Sequence, residues 1–115
     1  MIKLKRILEA KEDKPDKVME DFASTRQKGA EKITDNAKEK GGLALLTWHH
    51  FKVKLPYYEK AANGKLDYDK ALEEYQSLLQ TLFEKTEKGL NIQQVEFQEL
   101  VGKLEVLGEL LIKHK

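Results

Sequence analysis

Gly41-Gly42-Leu43-Ala44-Leu45-Leu46-Thr47-Trp48-His49-His50-Phe51-Lys52-Val53-Lys54-Leu55-Pro56-Tyr57-Tyr58-Glu59-Lys60-Ala61-Ala62 is the stretch on which the fold turns. Two glycines break whatever precedes them, and no charge occurs from Leu43 to Phe51. Ala44, Trp48, Phe51, Leu55, Tyr58 and Ala62 recur in alternating steps of four and three, the spacing of one helix face. Phe51 to Leu55 also alternates apolar with basic, so a short strand competes for that piece. Pro56 has no amide hydrogen and should kink the helix or end it just before. On a wheel at about 100° per residue a second apolar stripe emerges, Leu43, Leu46, His50, Val53, Tyr57 and Ala61, opposite Trp48 and Leu55. Six such side chains left wet would forgo on the order of 5–10 kcal/mol, comparable to the whole stability of a small domain. Something has to cover them.

Downstream, Ala62-Asn63-Gly64-Lys65-Leu66-Asp67 reads as helix–helix punctuation. Gly64 suits the left-handed position after a helix, Asp67 suits an N-cap, and Leu66 can staple onto Ala71. The next helix carries Tyr68, Leu72, Tyr75, Leu79 and Leu82, widened by Ala71, Leu78 and Phe83. Gly89 repeats the stop, and Asn91 with Gln94 makes a capping-box-like start. The last helix presents Phe97, Leu100, Leu104, Leu107 and Leu111, with a weaker second stripe of Ile92, Val95, Gly102, Val106 and Leu110. Upstream, apolar positions thin out and acids balance bases, so roughly 15–39 reads as a solvated, weakly amphipathic helix with Pro15 in its first turn. The expectation is an all-α chain: residues 1–40 a polar, mostly helical segment, and 41–115 the core of an antiparallel bundle of three long helices, with a weaker N-terminal helix beside it.

Two covers are open to the second stripe. The N-terminal helix, with Ile2, Leu4, Ile7 and Leu8, can fold back over it, or another protein or a second copy can dock there. On the second reading Leu43, Leu46, His50, Val53 and Tyr57 form a protein interface.

The 115 residues suit one domain able to hold a core without staples. Absence of cysteine excludes disulfides, thiolate catalysis and cysteine-bound zinc. A formal charge of +1 shows no basic excess for nucleic acid or anionic membrane, and no apolar run resembles a signal peptide or a membrane span. The expected setting is cytoplasmic. Trp48-His49-His50-Phe51 invites a metal, but adjacent histidines on a helix point about 100° apart, and no H-x-x-x-H or E-x-x-H occurs. With Gly64 at the sixth position of a calcium loop, the third would be Ala61 and the twelfth Lys70, so oxygen ligands are missing. No nucleophile elbow, phosphate loop or dinucleotide fingerprint occurs, so no cofactor and no enzymatic activity are expected. Aromatics interleaved with bases, Trp48, Lys52, Lys54, Tyr57 and Lys60, leave single-stranded nucleic acid as an alternative partner; a small metal protein or enzyme using His49 or His50 is the other.

The opening Met1-Ile2-Lys3-Leu4-Lys5-Arg6-Ile7-Leu8-Glu9 and the block from Lys40 to Tyr58 resemble small uncharacterised proteins of T4-like marine bacteriophages. The resemblance implies a phage gene product working in an infected bacterium or in the virion, and it carries over no catalytic residue. The functional expectation is a non-enzymatic helical protein–protein interaction module.

Overall fold

The computed structural model describes residues 2–42 and 44–114, with side chains from Lys17 onward. Every regular element in it is helical: α1 (Ile2–Lys40), α2 (Ala44–Lys52), α3 (Leu55–Ala62), α4 (Tyr68–Glu87) and α5 (Val95–His114). Helix α1 begins well before the expected start near Pro15 and runs 39 residues. The residues before Pro15 are mostly strong helix formers, Lys, Leu, Arg, Glu and Ala among them, and they carry the helix through the one missing hydrogen bond. No strand occurs among the described residues, so Phe51–Leu55 resolves as helix and turn.

The single helix expected over 43–62 is two. Pro56 cannot donate to the carbonyl of Lys52, and the ladder lapses at Val53 and Lys54 before α3 restarts with proline in its first turn. The two connections after α3 keep to their turn chemistry. Gly64 and Gly89 take positive φ (67° and 108°), and the amides after them reach back to Lys60 O and Lys85 O at 2.8 and 2.9 Å. Asp67 Oδ1 accepts from the amides of Asp69 and Lys70. Before α5, the Asn91 amide donates to Gln94 Oε1 at 2.8 Å while Asn91 Oδ1 accepts from the Gln93 amide at 3.0 Å.

Helix α1 lies along α2 and α3, and its Met19 and Glu20 reach Ala61, Gly64 and Leu66 at the far end. Its buried face is Met19, Ala23, Ala30, Thr34 and Ala37. Four of these are small, so the larger Phe51, Leu55 and Tyr58 come close to the helix axis. Thr34 satisfies its hydroxyl on Ala30 O at 2.6 Å. The polar N-terminal segment thus supplies Met19, Ala23 and Ala30 to the same cluster that holds Tyr58, Ala61, Val106 and Leu110. Helix α5 lies against α2 on one side and α4 on the other, and touches α1 and α3 less extensively. The result is a slab of 60 × 33 × 16 Å whose long axis is close to the ~58 Å rise of α1.

The tightest joint is between α5 and the end of α2. A Cβ on Gly102 would overlap the His50 carbonyl oxygen and come within 2.7 Å of Val53 Cγ2. Gly29, on the exposed side of α1, has nothing within 4 Å of the same position. The two glycines therefore predict opposite responses. Gly102→Ala should lose roughly 1–3 kcal/mol to overpacking, and Gly29→Ala should gain roughly 0.5–1 kcal/mol of helix propensity. Urea denaturation midpoints check both signs.

Candidate functional site

The α2–α3 segment presents three sides, and each has a different neighbour. Phe51, Leu55, Tyr58 and Ala62 pack into the cluster that α1 shares. His50 and Val53 face α5 at Gly102. The stripe on which a partner was expected therefore meets the chain's own α5. That contact is made by Gly102 of the weaker stripe of α5, while Val106 and Leu110 of the same stripe join Tyr58 and Ala61 in the shared cluster and Ile92 and Val95 stay exposed. Helix α1 packs mainly on the opposite face and reaches the stripe at Ala61, and the side chains of Ile2, Leu4, Ile7 and Leu8 lie outside the described residues. Leu46 is half-buried, Leu43 is outside the described residues, and the half-buried Tyr57 packs against the core cluster while also lining the third, open side.

That open side is a cleft of about 500 Å³. Trp48, Lys52, Pro56 and Lys60 run along it in steps of four, with His49, Val53 and Tyr57 on the adjacent row. Glu74 of α4 and Glu99 and Lys103 of α5 complete the wall. Trp48, read from periodicity as a core residue beside Phe51, lines this cleft instead. Lys52 Nζ lies 4.3 Å from the Trp48 ring centroid and His49 meets that ring edge-on at 4.7 Å. Of the residues singled out for nucleic acid, Trp48, Lys52, Tyr57 and Lys60 come together here. Lys54 does not: it is 7% exposed, its ammonium 3.6 Å from Glu105 Oε1 and 4.7 Å from the Phe51 ring centroid. Sequence reasoning missed Lys103, which only the packing of α5 delivers; the i, i+4 row Trp48–Lys52–Pro56–Lys60 was the local signal for the rest.

Two neighbouring tyrosines tie α3 to different helices. The Tyr57 hydroxyl donates to Glu74 of α4, and the Tyr58 hydroxyl donates to Glu109 of α5 at 2.7 Å. Glu109 also stands 3.8 Å from Arg26 Nε of α1, so one carboxylate joins three helices. Burial first, and then the adjoining carboxylate, raise both phenols well above their ordinary value of 10. The histidines separate as helical geometry requires: His50 Nε2 meets Glu105 Oε2 at 2.5 Å, and His49 Nδ1 stands 3.8 Å from Glu99 Oε2. His50 Nδ1 is buried without a hydrogen-bond partner among the described residues. Among those residues no three His, Asp or Glu side chains are grouped as a metal would need. No described helix is long and apolar enough to cross a membrane.

A second surface is apolar. Tyr68, Leu72 and Tyr75 of α4 and Gly108, Leu111 and Ile112 of α5 line a groove of about 390 Å³. Ile112 forms a ridge between this groove and a neighbouring hollow lined by Val18, Phe22, Glu109 and Lys113. Leu72 is 47% exposed and Ile112 is 77% exposed.

The tyrosine bonds give a pH dependence with a definite sign. Above about pH 10 the unfolded chain loses phenolic protons that the folded chain retains, so this contribution is complete below pH 10 and declines as pH rises beyond it. Tyr58→Phe should flatten the alkaline fall of the denaturation midpoint; a fall as steep as in the unaltered chain would contradict the assignment.

Comparison of the chain with protein-family models, with curated proteins and with solved structures gives no match.

Proposed function

We propose that this chain is a non-enzymatic interaction module. Its long helical segments form an antiparallel bundle, and its α4–α5 groove receives an amphipathic helix with a basic polar face. The observation that carries this reading is the state of α4. Of its 20 residues only Ala71 is buried, although its sequence presents a full apolar stripe. Leu72 and Ile112 stand open on either side of the groove, which is the form of a helix-binding site. Large exposed apolar side chains grouped on one face mark interaction surfaces.

Charge favours a basic occupant. Helix α4 carries Asp69, Glu73, Glu74, Glu84 and Glu87 against Lys70 and Lys85. Asp69 lines the groove itself, whereas the glutamates of α5 face elsewhere, Glu96 to Lys85, Glu99 to His49, Glu105 to Lys54 and Glu109 to Arg26. A second copy presenting the same face would meet like charge, whereas a helix with lysines or arginines flanking an apolar stripe meets opposite charge. The resemblance to T4-like marine phage proteins would set this module in an infected bacterium or a virion.

A synthetic helix of leucines and lysines at heptad spacing serves as probe, with leucine–glutamate as its control. The basic peptide should bind and the acidic one should not. Ile112→Asp, at an exposed site with little effect on folding, should weaken binding about tenfold or more through loss of one apolar contact. Equal binding of both peptides, or of neither, would overturn the reading. So would a dimer that Ile112→Asp dissolves, since the occupant would then be a second copy.

A further inference from the structure

We infer that the cleft between α2–α3 and α5 binds single-stranded nucleic acid, with bases on the Trp48 and Tyr57 rings and phosphates on Lys52, Lys60 and Lys103. This site is separate from the α4–α5 groove and does not depend on its occupant.

The charges of the cleft are unequally engaged. Its two carboxylates have donors facing them: Glu74 takes the Tyr57 hydroxyl, and Glu99 faces His49. Its three lysines form no ion pair with any described residue. Lysines left without carboxylates, converging on one cleft from α2, α3 and α5, suit a polyanion and not an isolated surface charge. The bond to Glu74 fixes the Tyr57 ring against α4, which gives a base a platform already in place. Lys52 now lies over Trp48; a base takes that ring face when the ammonium turns to a phosphate. The volume of about 500 Å³ falls within the roughly 300–1,000 Å³ of ligand sites. A recessed cleft admits an unpaired strand and excludes a duplex, whose bases are stacked out of reach. The acidic surface of α4 beside it adds to that exclusion.

Trp48 is the only tryptophan of the chain, so its fluorescence reports directly on this site. Titration of the full chain with an oligothymidylate at low salt should quench that emission. The logarithm of affinity should fall with the logarithm of salt at a slope near −2, about 0.7 for each of three phosphates. Lys103→Gln and Lys60→Gln should each reduce the slope by about 0.7, and Lys88→Gln, at the far end of α4, should leave it unchanged. Trp48→Ala, followed by anisotropy of labelled strand, should bind about tenfold or more weakly. Ile112→Asp should bind the strand normally, which separates this site from the peptide groove. Absence of quenching at low salt would overturn the proposal. Equal losses in Lys88→Gln would overturn it too, as would duplex, thymidine monophosphate or polyglutamate binding as tightly as the strand.

Discussion

The structure depends on a helix crossing that only glycine permits. Gly102 lets the backbone of α5 rest on the end of α2, with the His50 carbonyl and Val53 where a side chain would otherwise stand. Once the two backbones are that close, Val106 and Leu110 reach the cluster formed by Tyr58, Ala61, Met19 and Ala23. His50 and Lys54 then fall within reach of Glu105. A buried lysine is costly in isolation, and one carboxylate from α5 meets both Lys54 and the partly buried His50. The joint thus sets the packing of the core and settles its charges.

The same crossing decides what remains at the surface. With α2–α3 held between α1 and α5, the slab has an inner helix pair and an outer helix. Helix α4 is the outer one, packed on α5 and tied to α3 by the Tyr57–Glu74 bond. It therefore keeps much of its apolar stripe in the open. On its other flank, the open side of α2–α3 and the near wall of α5 enclose the lysine and aromatic cleft. Two candidate surfaces of opposite character, one apolar with acidic surroundings and one basic with aromatic rings, arise from a single packing choice.

Much of this architecture was legible in the residues. Gly64, Asp67 and Gly89 act locally, and local hydrogen bonding placed the ends of α4 where the turn chemistry put them; the Asn91–Gln94 pair closes a turn of its own, and α5 starts only at Val95, past the capping box that the spacing suggested. Pro56 announced the break between α2 and α3, because one missing amide is a property of one residue. The two-sided character of α2–α3 was also visible. Its resolution was not, because a helical wheel counts surplus stripes without pairing them. The weak stripe through Gly102, Val106 and Leu110 was as visible in the sequence as the stripe through His50 and Val53, and what joins Gly102 to them is a close approach that no spacing within either helix encodes. For the same reason Lys103 was missed in the cleft, while Lys54, grouped with Lys52 for that surface, is buried against Glu105.

The most direct test is therefore at the joint itself. In an isotope-edited nuclear Overhauser spectrum, the Val53 methyl protons should give a strong cross-peak to the Gly102 α-protons, residues 49 positions apart in the chain. Val53 methyls with cross-peaks only to neighbours in α2 and α3, and with unfolded-like shifts, would show that α5 does not rest there, and the account of core and surfaces would fail together.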